Sequence, residues 1–391
     1  MIVLSGADIV LHDRVLTGNS VVIRDGVIEE VTLAPRGDPR AETLDLSGHI
    51  LCPGFIDVHV HGIEGVDVLD GPEAVAAVAT RLPKYGVTAF CPTSVACAPE
   101  RLATFLAAVG EARRAHAAGS ARVLPAHLES NFLNPEWNGA QPLTCLRQPF
   151  DDGGADFSGE DILKVIERHR PAVGIITVAP ELPRGLELVR HLVKAGHRVS
   201  LGHTGATYDE AMAAIAAGAR HATHLFNRMS SISSRSPGVV GAVLESNAVT
   251  AEIICDGHHV HSSLVALAIR AKSISRLMAI TDGTAVAGLP VGARARLGDQ
   301  TIIAGERTAL LEDGTLAGSV LTMDGALRRL LGFGLTLPEA VRMCASTPAE
   351  ALGLSMMGAI AAGNHADLVV LTRDFTVHQT FIAGQPVLER G

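Results

Sequence analysis

Two histidines one residue apart, His59 and His61, close the apolar run "GFIDVHVHG" (54–62). Imidazole nitrogen ligates zinc and ferrous iron, and a carboxylate can complete or bridge such a site. On a strand, residues i and i+2 face the same side, so the pair can aim at one ion. A lone His-x-His is more often a surface pair or a satisfied core pair. What shifts the balance is that later apolar runs end in the same chemistry. "RVLPAHLES" (122–130) carries His127 and Glu129, "RVSLGHT" (198–204) carries His203, and "HATHLFN" (221–227) carries His224. "TAEIICDG" (250–257) ends in Asp256 and "RLMAITDG" (276–283) in Asp282. With Glu129, His203, His224 and Asp282 on later strand ends, the pair His59 and His61 suits a metal.

Those runs need elements that bring their ends together. With "VTAFCPTSV" (87–95) and "VGIITVAPE" (173–181) they make eight strand-like segments, each followed by a helical one such as "EAVAAVATRLPKYG" or "YDEAMAAIAAGA". Eight alternating β and α units predict an α/β fold, a TIM-like (β/α)8 barrel, whose catalytic groups gather at the C-terminal strand ends. An open doubly wound sheet is the alternative, but no GxGxxG follows the first strand. The first fifty residues and the last thirty read differently, as short strands with Asp-Gly and Ser-Gly turns. Neither end has enough apolar surface for its own sheet. Both termini are therefore expected to form one small β-sandwich domain, residues 1–52 with 358–391, around a barrel at 53–357.

Composition narrows the partners. The chain has 391 residues, 47% hydrophobic and 3% aromatic, so Ala, Val, Leu and Gly carry the apolar load. A net charge of -9 without basic clusters argues against nucleic acid or an anionic membrane as the main partner. No apolar run approaches the roughly 18 residues of a membrane span, and the start lacks a signal peptide's basic and apolar regions. The cysteines (Cys52, Cys91, Cys97, Cys145, Cys255 and Cys344) form no CxxC and read as reduced thiols. A cytoplasmic location is the expectation.

The motif order resembles the amidohydrolase superfamily, and more closely its N-acetylglucosamine-6-phosphate deacetylases. The similar segments are "PGFIDVHVHG", "HLESNFLNPEWNGAQ" (127–141), "SLGHTGATYDEA" (200–211), "THLFNRM" (223–229), "RSPGVVGAVL" (235–244), "ICDGHHVH" (254–261), "AITDG" (279–283) and "LAGSVLTM" (316–323). The resemblance implies one ion held by Glu129, His203 and His224, and a second site completed by His59 and His61. The metal it implies is zinc first and iron as the alternative, one or two ions per subunit. Run 173–181 contains no lysine, so a carboxylated-lysine bridge is not expected. The implied reaction is hydrolysis of an N-acetyl group, with Asp282 as base and then acid. Asn227, Arg235 and His259 map onto groups that bind the sugar phosphate, with Gln141, Arg228 and Leu316 also at substrate-binding positions. In that family the arginine and histidine reach in from the neighbouring subunit, which implies a homodimer.

Several positions depart from the family pattern. Ser130 and Asn131 replace Gly-Pro, Asn138 replaces a lysine, Gln141 replaces the histidine that helps polarise the acetyl carbonyl, and Arg228 replaces a small residue. Gln141 still offers an N–H donor but cannot carry a proton. These changes fall on substrate contacts rather than metal ligands. They keep open an amidohydrolase acting on another N-acyl or cyclic amide. A non-catalytic barrel serving as a binding protein is a third reading, and the full set of ligand positions speaks against it.

Overall fold

The computed structural model describes residues 1–33, 41–153 and 156–387. Its centre is a parallel eight-stranded barrel. The strands are β1 (Phe55–Val60), β2 (Val87–Ser94), β3 (Ala126–Glu129), β4 (Val173–Val178), β5 (Arg198–Leu201), β6 (His221–Ala222), β7 (Thr250–Ile254) and β8 (Leu277–Ile280). Each pairs in parallel with the next in chain order. Just past its end, β8 meets β1 through a parallel bridge between Gly283 and Val60. Asp282 N donates to His59 O at 3.0 Å and His61 N to Gly283 O at 2.8 Å, so the seam lies at His59, His61 and Asp282.

A helix follows every strand: α1 (Ala74–Arg81), α2 (Pro99–Ala115), α3 (Gly159–Arg168), α4 (Gly185–Lys194), α5 (Tyr208–Ala216), α6 (Gly238–Glu245), α7 (Ser262–Lys272) and α8 (Met323–Gly332). Their starts are chemically marked. Thr207 and Glu210 form a reciprocal capping box on α5, as Ser158 and Asp161 do on α3, satisfying amides that have no partner inside the helix. In α3 the buried positions Ile162, Leu163, Val165 and Ile166 make one apolar stripe against the sheet.

The chain ends build two further sheets. One runs Gln385–Pro386, Val377–Ile382, Leu368–Leu371, Ile50–Pro53, Asp8–Val10, Val15–Leu16, so three C-terminal strands join three N-terminal ones where Leu368–Leu371 pairs with Ile50–Pro53. The other joins Val27–Thr32, Ser20–Arg24, Ile2–Ser5 and Glu42–Asp45. Leu4, Ile9, Val21, Ile28, Leu51, Leu368, Val370 and Phe381 share one core between them. The expected small β-unit from both termini is thus present, while 34–40 and 388–391 of its expected span lie outside the described residues.

Two features depart from the sequence expectation. The run at 221–227 is extended only over His221–Ala222, because His224 and Phe226 take φ of +31° and +79°. A four-stranded antiparallel sheet (Arg294–Leu297, Gln300–Ala304, Thr308–Leu311, Leu316–Ser319) is inserted between β8 and α8, where no element was expected. Its last strand bridges Gly283 through Ser319, which attaches the insertion beside Asp282.

Candidate active site

Backbone conformation aims the key side chains. His203, His224 and Asp282 sit just beyond β5, β6 and β8 with φ of +49°, +31° and +48°. L-residues seldom adopt this left-handed region, and such strain persists only where the surroundings enforce it. Each turn swings its side chain across the barrel mouth. Gly202 makes room for the first of them: a Cβ there would lie 2.7 Å from Thr177 Cγ2 and 2.8 Å from Thr223 Cβ.

The five expected metal ligands and Asp282 come together in one buried cluster. His203 Nε2 and His224 Nε2 lie 2.7 and 2.8 Å from Glu129 Oε1, and 3.1 Å from each other. His59 Nε2 and His61 Nε2 are 3.2 Å apart, and the latter is 3.6 Å from Glu129 Oε2. Asp282 Oδ1 stands 3.4 Å from His59 Nε2 and 3.3 Å from His61 Nε2. Glu129 therefore faces two donor groups, one with each oxygen: Glu129–His203–His224 and His59–His61–Glu129.

Partners on the far side of three rings fix which nitrogen faces inward. His61 Nδ1 meets Thr93 O at 3.0 Å and His203 Nδ1 meets Trp137 O at 2.8 Å. His59 Nδ1 meets Glu252 Oε2 at 2.9 Å. Carbonyl and carboxylate oxygens only accept, so in each ring Nδ1 carries the proton and Nε2 presents a lone pair to the centre. The lone pairs of His59 and His61, facing each other at 3.2 Å, repel unless a cation or proton lies between them. The donor set, nitrogen and carboxylate oxygen with Nδ1 anchored from outside, fits a divalent transition-metal ion.

Electrostatics say the same. Burial alone would push the His61 ring down, but the hydrogen bond to Asp282 and the charges of Glu129 and Asp282 outweigh it and raise it to about 9. Burial would raise the Glu129 carboxyl, yet the charge and hydrogen bond of His203 and the hydrogen bond of His224 hold it well below the usual range. Asp282 is likewise lowered against burial, by His59 and His61. Protons and a metal ion thus compete for the same nitrogens.

Residues around the ligands brace them. Glu181, after β4, accepts from Asn134 Nδ2 at 2.9 Å, Gly205 N at 2.7 Å and Thr204 Oγ1 at 2.5 Å. It ties the loop after β3 to the loop after β5, and with it the Trp137 carbonyl that holds His203. A Cβ at Gly205 would lie 2.4 Å from Trp137 Nε1. Gly205→Ala is therefore expected to displace the indole, disturb His203 and weaken ion binding by roughly 10-fold or more; competition with a chelating dye reads the change.

The substrate positions are less gathered. Gln141 is buried, its amide donating to Glu129 Oε2 while its oxygen accepts from Ala96 N at 2.8 Å. Asn227 Nδ2 donates to His224 O at 3.1 Å, beside the ligands. Arg228 is exposed and extends along Gly139, near the Trp137 loop. His259 Nδ1 bonds Asp256 Oδ2 at 2.6 Å. Arg235 lies in the exposed stretch 231–237, and Leu316 is 39% exposed at the edge of the inserted sheet. Sequence reasoning missed Glu252, fully buried in β7. The signal is a lone charge inside "TAEIICDG", a run that also ends in Asp256.

With this geometry in view, comparison with known proteins is decisive for the family. Residues 50–387 match the model of the amidohydrolase family. The chain belongs to that family. It is 34% identical over 390 residues to an N-acetylgalactosamine-6-phosphate deacetylase of Escherichia coli O157:H7, covering 98% of each chain. It is 33% identical to the N-acetylglucosamine-6-phosphate deacetylase of Bacillus subtilis (strain 168), over 96% of this chain and 94% of that one. A mutant N-acetyl-D-glucosamine-6-phosphate deacetylase of Mycobacterium smegmatis, solved with N-acetyl-D-glucosamine-6-phosphate, superposes with a TM-score of 0.87 at 32% identity over 99% of both chains. Within the family the chain groups with these deacetylases, and it is a hydrolase. No helix among the described residues is long and apolar enough to cross a membrane.

Proposed function

We propose that this protein hydrolyses the N-acetyl group of N-acetylglucosamine-6-phosphate, releasing acetate and glucosamine-6-phosphate for amino-sugar breakdown. The observation that carries the reading is the pair of donor groups sharing Glu129, with Asp282 within 3.4 Å of both strand-one histidines. Glu129, His203 and His224 would hold one ion, and His59, His61 and Glu129 a second, with zinc as the first candidate metal and iron as the other. Such an ion supplies an acidified water and a Lewis acid for the amide carbonyl.

The chain's own groups then manage the proton. Asp282, held as a carboxylate by its histidine neighbours, accepts a proton from the attacking water. The water oxygen bonds to the acyl carbon, the C–N bond breaks, and Asp282 returns the proton to the departing amine nitrogen. Gln141 has one N–H engaged on Glu129, which leaves its second N–H as the donor for the acetyl oxygen. Asn227, Arg228 and Leu316 would line the sugar, and Arg235 and His259 would bind phosphate across a homodimer interface. Exposure of the whole stretch 231–237, including Ile232 at 51%, supports a covering partner subunit there. An arginine fork gives two parallel hydrogen bonds to phosphate. The reading includes a cytoplasmic location and the division into 1–52 with 358–391 and 53–357.

A second substrate has specific support, because one of the similar full-length relatives acts on the galactosamine epimer. Steady-state kinetics with both epimers, each with and without the 6-phosphate, test the assignment. The expected outcome is a kcat/KM highest for N-acetylglucosamine-6-phosphate and lowered by removing the phosphate. Preference for an unphosphorylated amide would sink it.

A further inference from the structure

We infer that Glu252 is a positioning residue that governs the second ion, acting through His59. The inference rests on the two-ion reading above. Three of the four converging imidazoles have an Nδ1 acceptor, and two of those acceptors are neutral backbone carbonyls, Thr93 O for His61 and Trp137 O for His203. Only His59 has a charged one, Glu252 Oε2 at 2.9 Å. Both partners are fully buried, which removes the solvent that would otherwise screen the pair. A carboxylate behind a ligating ring locks the tautomer, fixes the ring plane and makes Nε2 a stronger donor.

Glu252 has little else to balance it. Its Oε1 has no hydrogen-bond partner, and its ion-pair partners among the described residues are His59 and His127, the latter at 3.6 Å. A buried carboxylate left half-satisfied costs stability, and an apolar residue of similar volume would avoid that cost. A cation held on the far side of His59 would offset the charge. The same oxygen that accepts the hydrogen bond of His59 Nδ1 also accepts one from His224 N at 3.4 Å, so Glu252 touches the backbone of one donor group and the ring of the other.

His59, His127 and Glu252 lie close enough to suggest an ion site of their own. The hydrogen bonds argue otherwise. His127 Nδ1 meets Val58 O at 3.1 Å and therefore donates, and Nε2 meets Thr177 Oγ1 at 2.8 Å and uses its lone pair there. His59 directs its protonated nitrogen at Glu252. Neither ring has a lone pair to give an ion at that point, so the group is a hydrogen-bonded support for the centre above it.

Zinc titration of the metal-stripped full-length protein by calorimetry tests this without reference to activity. Wild type should take up two ions. Glu252→Leu, which removes both acceptor and charge, should weaken the second by about 10–100-fold and the first, reached only through the 3.4 Å bond to His224 N, by much less. Glu252→Gln keeps an oxygen acceptor for the ring, so its effect should be smaller, and it carries the test should the leucine variant not fold. In a His59→Ala background, changing Glu252 should alter ion binding no further, a non-additivity that a general packing role would not produce. Unchanged affinities in both Glu252 variants, or equal weakening of both ions, would overturn the inference. A wild-type protein that binds only one ion would overturn the two-ion reading, and this inference with it.

Discussion

Asp282→Asn is expected to lower turnover by about 10³-fold or more while the ions stay bound. General acid–base groups typically contribute about 10²–10⁴-fold, and Asp282 is asked to act in both directions of one proton transfer. The substitution isolates that chemistry. Asparagine matches aspartate in shape and is among the few residues that tolerate a positive φ, so the +48° backbone at this position should survive. Its amide oxygen can still face His59 and His61, but it cannot accept and return a proton. Elemental analysis beside single-turnover acetate release separates the two possibilities. Turnover within tenfold of wild type would remove Asp282 from its assigned role; loss of the ions along with activity would make it a ligand instead.

Glu129→Ala carries the second large effect, of a different kind. Its two oxygens face both donor groups, Oε1 between His203 and His224, Oε2 toward His61. Removing it should strip both sites together, with ion affinity falling by more than the roughly 100-fold that mark the loss of a merely supporting group. Acetate release should fall to the level of chelator-treated protein. Ion content after dialysis and activity after zinc re-addition give the readout. A variant that keeps one tight ion would show that the histidines suffice for that site and that Glu129 does not bridge.

What the sequence disclosed depended on how local the signal was. Eight apolar runs, seven of them with histidine or carboxylate ends, carried the barrel, because strand periodicity and barrel topology are written in short segments. His59, His61, Glu129, His203, His224 and Asp282 were legible for the same reason: each ends a strand, and the barrel brings strand ends together. The inserted sheet at Arg294–Ser319 was missed although its turns, Gly298–Asp299 and Asp313–Gly314, are ordinary hairpin signals. Its strands are only four or five residues long and partly exposed, so they lack the apolar weight of the barrel runs. Glu252 was missed because its role depends on a ring 193 positions away in sequence. The positive φ at His203, His224 and Asp282 was also invisible, since nothing in the residue type announces strain that the surroundings impose.

Metal-dependent release of acetate is the most direct test of the proposed reaction. Metal-loaded and metal-stripped protein are each mixed with N-acetylglucosamine-6-phosphate, and acetate and free amine are quantified in the same reaction. Equal amounts of acetate and amine are expected from the loaded protein, none from the stripped protein, and recovery when zinc is restored. Equal turnover by the stripped protein, or no acetate from fully loaded protein on either hexosamine epimer, would contradict the proposed reaction.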